Sequence, residues 1–550
     1  MQEHRVDLVV VGSGAGGITG AIVGAKHGLK TLIIEKGRVW GGSSSLSGGG
    51  IWIPNNPVSR AAGLQDSFEE ALTYMETVIG DVGPASSRER KMAFLRHGPE
   101  MIAFLMQQGV RFVASMEYPD YYPDKPGGKI GRSLDPAFFD ARKLGDLAAT
   151  MRTLSIDVPV AFRSGETHHL PKAFTLPRHF FKTVGIFTRS IGMRLRGQRP
   201  LGLGNALVGQ LMYVARRLGV DLWLNAPARR LVVEEGRVVG VEVERDGVPV
   251  RVRSRAVLLA AGGFDHNAEM RRRYQGVDGW SVGNPDNTGD VIQQCMELGC
   301  DMALLDDAWW GAVAIDPKGE RQFLVWERSM PHCIVVDQTG RRFTNESASY
   351  VDFGHDMLAR NREVPAIPSW LIMDSRHRNR YIFGMAMPRM TPRAWLESGF
   401  FVRADSLEEL AQRCGIDRDG LLATVARFNE MARRGVDEEF GRGRTAYDRF
   451  YGDPRYPNPN LGPIERPPFY AVKIFPGDLG TKGGMLTDEH ARVLKGGEPM
   501  PGLYAVGNCS ASVMGRTYPG PGATLGAAMT FAYIAAKHVV ATASAPASQA

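Results

Sequence analysis

The chain has 550 residues, 43% hydrophobic and 23% charged, a balance that predicts two or three packed domains and excludes wholesale disorder. The five cysteines are scattered without a CxxC spacing, so we expect neither a disulfide framework nor a structural zinc site, and we expect a reducing, cytoplasmic compartment. The net charge of +7 is concentrated between residues 167 and 220, which hold nine Lys or Arg and no Asp or Glu; this excludes a diffuse nucleic-acid-binding surface. No run approaches 18 apolar residues, so no membrane-spanning helix is expected.

The first elements form a strand–turn–helix–strand unit. Val6–Val11 is a β-branched run typical of a buried strand, and it leads into three glycines with the spacing G-x-G-x-x-G. A helix pattern and a second strand, Thr31–Ile34, follow. Such glycines let backbone N–H groups approach a pyrophosphate, and the acidic residue after the second strand binds ribose hydroxyls. The unit predicts a dinucleotide site formed by Gly12, Ser13, Gly14, Ala15, Gly16, Gly17, Glu35 and Lys36.

Two further features favour FAD over NAD. Residues 41–50 form a second loop of small residues directly after the acidic strand end, which suits a long cofactor. Strand-to-glycine turns recur at Leu258–Gly263 and Gly502–Asn508, far along the chain. These motifs resemble the fumarate reductase/succinate dehydrogenase flavoprotein family over nearly the whole sequence. Further residues predicted to hold FAD are Gly42, Ser43, Ser44, Ser47, Gly48, Gly49, Ala228, Ala261, Gly262, Asn287, Asp290, Gly507, Asn508, Ala523, Thr524 and Leu525.

Other patterns set the organisation of the chain. Amphipathic periodicity predicts helices over Gln65–Asp81, Arg88–Gln108 and Ala141–Leu154. Alternating apolar and polar residues over Val220–Val257 predict an antiparallel β-meander, and a helix is expected over Gly522–Val540.

The expected fold is α/β. A Rossmann-like FAD-binding domain of discontinuous sequence (1–308 and 472–550) carries an inserted α+β substrate domain (309–471), where the composition shifts to Trp, Arg and loop residues.

Three tyrosine-containing segments stand beside glycine-rich turns or charged loops. They are E-Y-P-D-Y-Y-P-D-K-P-G-G at 117–128, R-R-F-T-N-E-S-A-S-Y at 341–350 and T-Y-P-G-P-G-A-T-L-G at 517–526. The chain has no H-E-x-x-H or G-x-S-x-G motif and no clustered Cys/His set, so hydrolytic and metal-dependent mechanisms are not expected. Together the three segments resemble the 3-ketosteroid Δ1-dehydrogenase branch of the family.

The resemblance implies FAD-dependent removal of two hydrogens across C1–C2 of a steroid or sterol 3-ketone. Tyr518 O–H and the backbone N–H of Gly522 would form the oxyanion site for the developing enolate. Tyr350 would take the C2 proton, with Tyr121, rather than its neighbour Tyr122, hydrogen-bonded to it. A tyrosine has an ordinary pKa of about 10, so we expect neighbouring groups or proton sharing to depress that pKa, and we expect optimal activity on the alkaline side of neutral. Hydride would pass from C1 to flavin N5, and an external acceptor would reoxidise the flavin.

Alternative functions stay open at this point. Dehydrogenation at C4–C5 of a 3-oxo-5α-steroid needs similar enolate stabilisation with a base placed elsewhere. Dicarboxylate reduction by the soluble fumarate reductases uses a histidine before the T-x-G-G turn, whereas Gly480 stands at that place here. A flavin-containing binding protein without activity, or a peripheral membrane adaptor, would leave the tyrosines without a catalytic role.

A basic insertion at 157–203 has the pattern of an interfacial helix. On a helical wheel, Phe180, Val184, Phe187, Ile191 and Leu195 form one stripe, with Lys182, Arg189 and Arg196 opposite. This pattern predicts reversible attachment of 178–199 to the inner face of a membrane. An ordinary surface helix or an oligomer contact is the alternative.

Overall fold

A computed structural model describes residues 2–153 and 160–544. Its centre is a six-stranded sheet in which five parallel strands carry one antiparallel edge strand. The sheet is built of apolar runs, and Leu8–Val11 and Thr31–Ile34 in its middle are buried on both faces, as parallel strands covered by helices are. In spatial order the strands are Arg492–Lys495, Glu498–Ala505, Ala256–Leu259, Leu8–Val11, Thr31–Ile34 and Asp221–Trp223.

Long helices pack together beside this sheet. The final helix, Ala523–Ser544, lies against both Ala15–Lys26 and Arg88–Gln107. Its segment Ala523–Ala543, with a mean hydropathy of 1.2, is long and apolar enough to cross a membrane by length and composition, but 67% of its most apolar window is buried inside the protein. That burial is typical of a core helix. The remaining helices of this half are Gly42–Leu46, Pro57–Ala61, Phe68–Ile79, Leu203–Arg217, Ala268–Gln275 and Asp290–Glu297.

The predicted meander is present but shorter than expected. Three antiparallel strands, Ala228–Glu234, Arg237–Arg245 and Val248–Arg253, pair in sequence, and the polar strand Gln2–Arg5 joins them in parallel at the edge. The ends of the predicted stretch, Asp221–Trp223 and Ala256–Leu259, belong instead to the central sheet. Alternation alone does not separate strands of two adjacent sheets.

A second six-stranded sheet is built between residues 308 and 481. Its strands are Arg321–Phe323, Ala308–Ile315, Phe469–Thr481, Ser369–Met373 and Cys333–Val336 in spatial order, with Val402–Ala404 also paired to Phe469–Thr481. Its helices are Tyr350–Arg360, Ser375–Arg380, Arg393–Glu397, Leu407–Cys414, Arg418–Arg434 and Ala446–Tyr451. This sheet occupies the range expected for the substrate domain; the domain division itself stays a prediction.

Three smaller sheets complete the described strands. One sheet has three strands, Ile51–Trp52, Ser133–Pro136 and Phe112–Ala114. The other two sheets have two strands each: Phe139–Asp140 pairs with Pro200–Leu201, and Met302–Ala303 pairs with Gly484–Met485. The α-helix predicted over 141–154 is wrong: Ala141–Thr150 consists of 3-10 turns broken at Gly145, whose φ of 56° cannot continue a helix. Residue 154 lies outside the described residues. The other 3-10 helices are Pro84–Ser86, Ser164–His169 and Gly507–Cys509.

The basic insertion forms the predicted helix over Pro177–Leu195, and residues 157–159 lie outside the described part of the chain. Its apolar stripe faces outward, from Phe180 at 45% exposure to Leu195 at 84%. A third face of the helix, through His179, Ile186 and Ser190, packs on the protein. Arg189 also turns inward, because it forms an ion pair with Glu166 at 2.8 Å.

Candidate active site

The first glycine-rich turn presents unpaired backbone donors at the end of a strand. A Cβ on Gly12 (φ 105°) would lie 2.3 Å from the carbonyl of Ala260, and a Cβ on Gly17 would lie 2.3 Å from the carbonyl of Gly12, so neither position accepts a side chain. Ser44 Oγ accepts from the N–H of Ala15, while the N–H groups of Gly16 and Gly17 make no hydrogen bond within the described residues. Free N–H groups at a helix N-terminus fit a pyrophosphate.

The predicted ribose-binding carboxylate lies at the end of the neighbouring strand. Glu35 accepts hydrogen bonds from Ser13 N–H and Oγ at 3.1 and 2.6 Å and from Gly37 N–H at 2.9 Å. Ser13 Oγ in turn accepts from Gly41 N–H at 2.9 Å. These hydrogen bonds connect the first glycine-rich turn, the acidic end of the second strand and the second loop of small residues to one another.

The two other charged residues predicted to hold the cofactor pair with each other. Lys36 Nζ donates to Asp290 Oδ2 at 2.9 Å and to Thr288 Oγ1 at 2.5 Å. Ser43 Oγ accepts from Asn287 Nδ2 at 3.0 Å, and Asn287 also contacts Asp265. Ala228 begins the meander strand just beyond Ala226, whose N–H binds the Glu35 carbonyl. All these residues therefore surround one end of the site.

Four further predicted cofactor residues lie with this first end. Gly14 lies beside Gly42, Gly262 lies beside Asn287, and Ala261 lies beside Gly12.

The remaining predicted cofactor residues surround the other end of the site. The loop of Ser47, Gly48 and Gly49 approaches Ser164, which would lie 3.3 Å from a Cβ on Gly48. Asn508 accepts from Trp309 Nε1 at 3.0 Å. At this end the chain also supplies Gly507, at a strand-to-turn junction, and Ala523, Thr524 and Leu525, on the first turn of a helix.

Three tyrosines, one from each motif, converge beside this second end. Tyr121 Oη donates to Tyr350 Oη at 3.1 Å, and the two rings meet edge to face at 5.4 Å. The ring of Tyr518 lies 5.0 Å from Tyr121 and 5.2 Å from Tyr350. All three side chains are buried, with exposures of 5% or less. The chain thus brings together hydroxyls that are about 400 residues apart in sequence.

Tyr122 is directed away from this cluster. Its hydroxyl donates to Asp352 Oδ1 at 2.8 Å, two residues after Tyr350 on the helix that Tyr350 begins. Asp120, on the other side of Tyr121, accepts from Trp52 Nε1 at 2.7 Å and from Arg132 at 2.9 Å. The two neighbours of Tyr121 are therefore anchors that hold its ring at the hydroxyl of Tyr350.

The loop that carries Tyr518 and Gly522 is held on several sides. The Pro519 carbonyl accepts from Tyr121 N–H at 2.9 Å and from Tyr74 Oη at 2.6 Å, and the Pro521 carbonyl accepts from Ser133 Oγ at 2.8 Å. Gly522 has a φ of 94°, and a Cβ there would lie 2.1 Å from the Gly50 carbonyl. Its N–H donates to nothing within the described residues. A fixed hydroxyl and a free amide are thus available as donors.

The expectation that neighbouring groups depress the pKa is wrong for Tyr350, because the neighbouring groups together with burial raise it. Burial raises the pKa of Tyr350 well above 10, and the neighbouring Tyr518 and Tyr447 add to this effect. The hydrogen bond from Tyr121 acts in the opposite direction and lowers the pKa of Tyr350. The sequence motif alone did not reveal this effect of burial.

Several aromatic neighbours were missed by the sequence reasoning. Tyr447 lies 4.4 Å from the ring of Tyr121, Phe323 lies 5.2 Å from Tyr350, and Trp309 lies 5.1 Å from Tyr518. They come from the second sheet and from the helix Ala446–Tyr451. The only available signal was the aromatic density of W-W at 309–310 and A-Y-D-R-F-Y at 446–451.

A buried ion pair, Lys482 with Asp307, contacts the loop that carries Tyr518. Lys482 Nζ donates to the Thr517 carbonyl at 3.0 Å and lies 3.5 Å from Asp307, which also binds His355. Burial lowers the pKa of Lys482 to about 8. In the same turn, a Cβ on Gly480 would lie 2.3 Å from Asn508 Nδ2, so a histidine does not fit there.

Comparison with known proteins agrees with this arrangement. The chain matches the family described as FAD binding domain over residues 7–525. It is 43% identical to 3-oxosteroid 1-dehydrogenase of Mycobacterium tuberculosis, covering 98% of this chain and 99% of that protein, and 43% identical to that of Mycolicibacterium smegmatis, covering 99% of each.

A solved structure gives the same result. The 3-ketosteroid delta1-dehydrogenase of Sterolibacterium denitrificans, in complex with 1,4-androstadiene-3,17-dione, superposes with a TM-score of 0.93 at 38% identity, covering 98% of this chain and 100% of that one.

The cofactor is FAD, as predicted. The family match is to an FAD-binding domain, and the free N–H groups of Gly16 and Gly17 with Glu35 beside them fit its pyrophosphate and ribose. The predicted α/β fold and the predicted relationship are confirmed as well. The chain belongs to the FAD-binding flavoprotein family that contains the 3-oxosteroid 1-dehydrogenases.

Proposed function

We propose that this protein catalyses FAD-dependent 1,2-dehydrogenation of a 3-oxosteroid. The observation that carries the proposal is the convergence of Tyr121, Tyr350 and Tyr518 with the free amide of Gly522 beside the cofactor-binding turns. Relatives named 3-oxosteroid 1-dehydrogenase, 43% identical over almost the whole chain, support the substrate class.

Each residue has one task in the proposed reaction. Tyr518 O–H and Gly522 N–H donate hydrogen bonds to the ketone oxygen as negative charge develops on it, which acidifies the neighbouring C2–H. Tyr350 acts as a phenolate that Tyr121 stabilises by donating its hydroxyl hydrogen; the phenolate takes the C2 proton and becomes a neutral phenol, while the substrate becomes the enolate. FAD, which the turns at 12–17, 41–49 and 507–508 would hold, would supply the hydride acceptor for C1, and an external electron acceptor would then be needed to reoxidise the flavin.

Anaerobic titration of the FAD-loaded protein tests the function. We expect androst-4-ene-3,17-dione and cholest-4-en-3-one to bleach the flavin absorbance and to yield C1–C2 unsaturated products. With a saturated 3-oxo-5α-steroid as substrate, a first product that carries a C4–C5 double bond would instead identify 4-dehydrogenase activity. Bound FAD that does not bleach with any of these ketones would show a binding protein without this activity.

The pH dependence of the reaction reports on Tyr121. Because the phenolate of Tyr350 is the reactive form and burial raises its pKa, kcat/KM is expected to rise with pH through the alkaline range. Tyr121→Phe removes the hydrogen bond that lowers this pKa, so the rise should move to higher pH. Each unit of displacement lowers the rate at pH 7 about tenfold.

Stopped-flow flavin reduction between pH 6 and 10 measures this displacement. Tyr381→Phe, which removes a buried hydroxyl bonded to Asp453 at 2.7 Å, serves as the control. An acidic limb well below pH 6 in the unmodified protein would rule out a tyrosine base.

We also propose that the helix Pro177–Leu195 attaches the protein to an anionic lipid surface. Its outward face carries Phe181 at 69% exposure and Ile191 at 55%, and the exposed cations Arg178, Lys182, Arg194 and Arg196 accompany them. His168, in the segment that precedes the helix, lies 4.5 Å from Phe450, which stacks on Tyr118 in the same motif as Tyr121. This position suits substrates that partition into lipid, and it predicts attachment at the inner face of a membrane.

Cosedimentation with vesicles containing about one-third phosphatidylglycerol tests this attachment. The double variant Phe181→Ser, Ile191→Ser is expected to lower partitioning about tenfold or more, since each buried apolar side chain contributes roughly 1.5–3 kcal/mol. Met385→Ser, at 58% exposure elsewhere, is the control. Unchanged partitioning would refute the lipid contact, and a change in oligomer mass would identify a subunit contact instead.

A further inference from the structure

Lys482 is a buried charged residue to which the proposed reaction gives no task. Its side chain is 0% exposed. Its backbone is fixed on both sides, because its N–H donates to the Asp307 carbonyl at 3.1 Å and its carbonyl accepts from Ser512 N–H at 3.1 Å. The turn would therefore keep its path without the side chain. Burial of an ammonium is unfavourable unless polar partners surround it, and here these partners belong to the elements around Tyr518.

The first contact of the ammonium is with the residue that precedes Tyr518. Lys482 Nζ donates to the Thr517 carbonyl at 3.0 Å. This carbonyl belongs to the planar peptide group that leads into Tyr518, so the hydrogen bond fixes the plane from which the tyrosine side chain extends. On the other side of Tyr518, the Pro519 carbonyl accepts from Tyr121 N–H at 2.9 Å. Lys482 thus restrains Tyr518 from the preceding part of the chain.

The second contact is with an aromatic ring that packs against Tyr518. Lys482 Nζ lies 4.6 Å from the centroid of the Trp309 ring, which is within the range of a cation–π interaction. The Trp309 ring meets the ring of Tyr518 edge to face at 5.1 Å, and its Nε1 donates to Asn508 Oδ1 at 3.0 Å. One ammonium therefore acts on Tyr518 both through its backbone and through the ring beside it.

The third contact leads to the helix of the proposed base. Lys482 Nζ lies 3.5 Å from Asp307 Oδ2, and Asp307 Oδ1 lies 2.7 Å from His355 Nε2. His355 lies on the helix Tyr350–Arg360, whose first residue is the proposed base. The Asp307 carboxylate therefore stands between the loop that would bind the ketone oxygen and the helix that would take the C2 proton. Both groups must reach the same steroid ring at once, so their relative position matters for the rate.

We propose that Lys482 is a positioning residue: by holding the Thr517 carbonyl and the Trp309 ring, it keeps the Tyr518 hydroxyl at the ketone oxygen of the steroid. The inference rests on the proposed function, and in this role Lys482 acts through Tyr518 rather than on the reacting atoms. A displacement of about 1 Å at such a donor lowers the rate by about 10².

The fold is expected to persist without the ammonium. Asp307 Oδ1 would still accept hydrogen bonds from Ala308 N–H at 2.9 Å and from Trp310 Nε1 at 2.8 Å. The carboxylate would therefore keep donors of its own, and the backbone bonds of Lys482 would hold the turn. A variant at this position should report on Tyr518 rather than on folding.

A double-mutant cycle on the FAD-loaded protein tests the inference. At pH 7 the ammonium is charged, because burial lowers the pKa of Lys482 only to about 8. Lys482→Met removes the charge and the donor, and it is expected to lower kcat by about 10–10² with little change in KM. In the Tyr518→Phe background the same substitution should lower kcat by about twofold or less, since the hydroxyl that Lys482 positions is already absent.

Lys91→Met is the matched control. Lys91 is also buried, and its Nζ donates to a backbone carbonyl, that of Gly80, at 2.7 Å. This variant should keep the kcat of the unmodified protein. If Lys482→Met does not accumulate as FAD-loaded protein, Lys482→Gln, whose neutral amide can still donate to Asp307, takes its place in the same cycle.

The carbonyl stretch of a bound ketone gives a readout that does not depend on turnover. Isotope-edited infrared spectra of 1,4-androstadiene-3,17-dione, labelled at C3 and bound to the oxidised protein, should show the C3 carbonyl band. We expect this band at higher frequency in Lys482→Met and in Tyr518→Phe than in the unmodified protein, because the hydrogen bond to the ketone is weakened. Lys91→Met should leave the band unchanged.

Three results would overturn the role of Lys482. They are full activity of Lys482→Met, equal fold losses of kcat in the two backgrounds, and a C3 carbonyl band that does not move in Lys482→Met. Equal losses would show that Lys482 acts on a group other than Tyr518. A protein that binds the ketone but never reduces its flavin would instead contradict the proposed function, and the infrared band would still report on Lys482.

Discussion

Replacing Tyr518 with Phe is expected to lower kcat for 1,2-dehydrogenation by about 10²–10³, which corresponds to about 2.7–4 kcal/mol of transition-state stabilisation. The change removes one of two donors to the ketone oxygen and leaves the Gly522 amide in place. The ring packing against Tyr121 and Tyr350 is retained, so FAD content and melting temperature should stay near those of the unmodified protein. Steady-state kinetics with androst-4-ene-3,17-dione, together with flavin quantification, measures the effect.

Tyr504→Phe is the matched control for this variant. It also removes a hydroxyl from a buried tyrosine. Tyr504 lies in the central sheet, and its hydroxyl lies 2.8 Å from His538 Nδ1 on the final helix. We expect it to retain ordinary turnover. A Tyr518→Phe protein that keeps full activity would show that the hydroxyl does not polarise the ketone, and the proposed roles would then have to be reassigned.

Tyr350→Phe should abolish proton removal from C2 and lower kcat by about 10²–10⁴, the range expected when a general base is lost. The phenylalanine ring retains the edge contacts with Tyr121 and Phe323 but cannot accept a proton. A second readout separates this role from that of Tyr518. In deuterated water without an electron acceptor, the unmodified protein is expected to exchange the C2 hydrogen of bound substrate, and Tyr350→Phe is not.

Tyr381→Phe again supplies a buried control hydroxyl. Persistent C2 exchange in Tyr350→Phe, at a rate near that of the unmodified protein, would place the base elsewhere. Tyr447, 4.4 Å from the ring of Tyr121, would then be the next residue to replace.

The nucleotide half could be predicted from the sequence because its signals are local. The glycine spacing at 12–17 and the acidic residue at 35 lie within one strand–turn–helix–strand unit, and steric necessity fixes them: a side chain at 12 or 17 would meet backbone oxygen at 2.3 Å. The three tyrosines were found because each stands in a recognisable motif. Their mutual approach depends on both sheets and follows only from the fold.

What could not be predicted depends on contacts between distant segments. Tyr447 and Phe323 reach the cluster from the second sheet and its helices, and no short motif marks them. The edge strand Gln2–Arg5 is polar, so hydrophobic patterning does not reveal it. The raised pKa of Tyr350 reflects its burial among other aromatic rings, a property of packing rather than of sequence neighbours.

The segment 518–522 is held in place by hydrogen bonds from Tyr74, Tyr121 and Ser133 to its backbone carbonyls. Variants made to accept new substrates should therefore keep this segment unchanged. The loss of any of these hydrogen bonds would displace the Tyr518 hydroxyl and the Gly522 N–H, the groups proposed to bind the ketone oxygen. Selectivity for bulkier or smaller ring systems is better sought by varying Phe323 and Tyr447, which belong to the other half of the molecule. Such variants should be scored for turnover as well as for substrate scope, because Tyr447 also raises the pKa of Tyr350 and Phe323 contacts its ring.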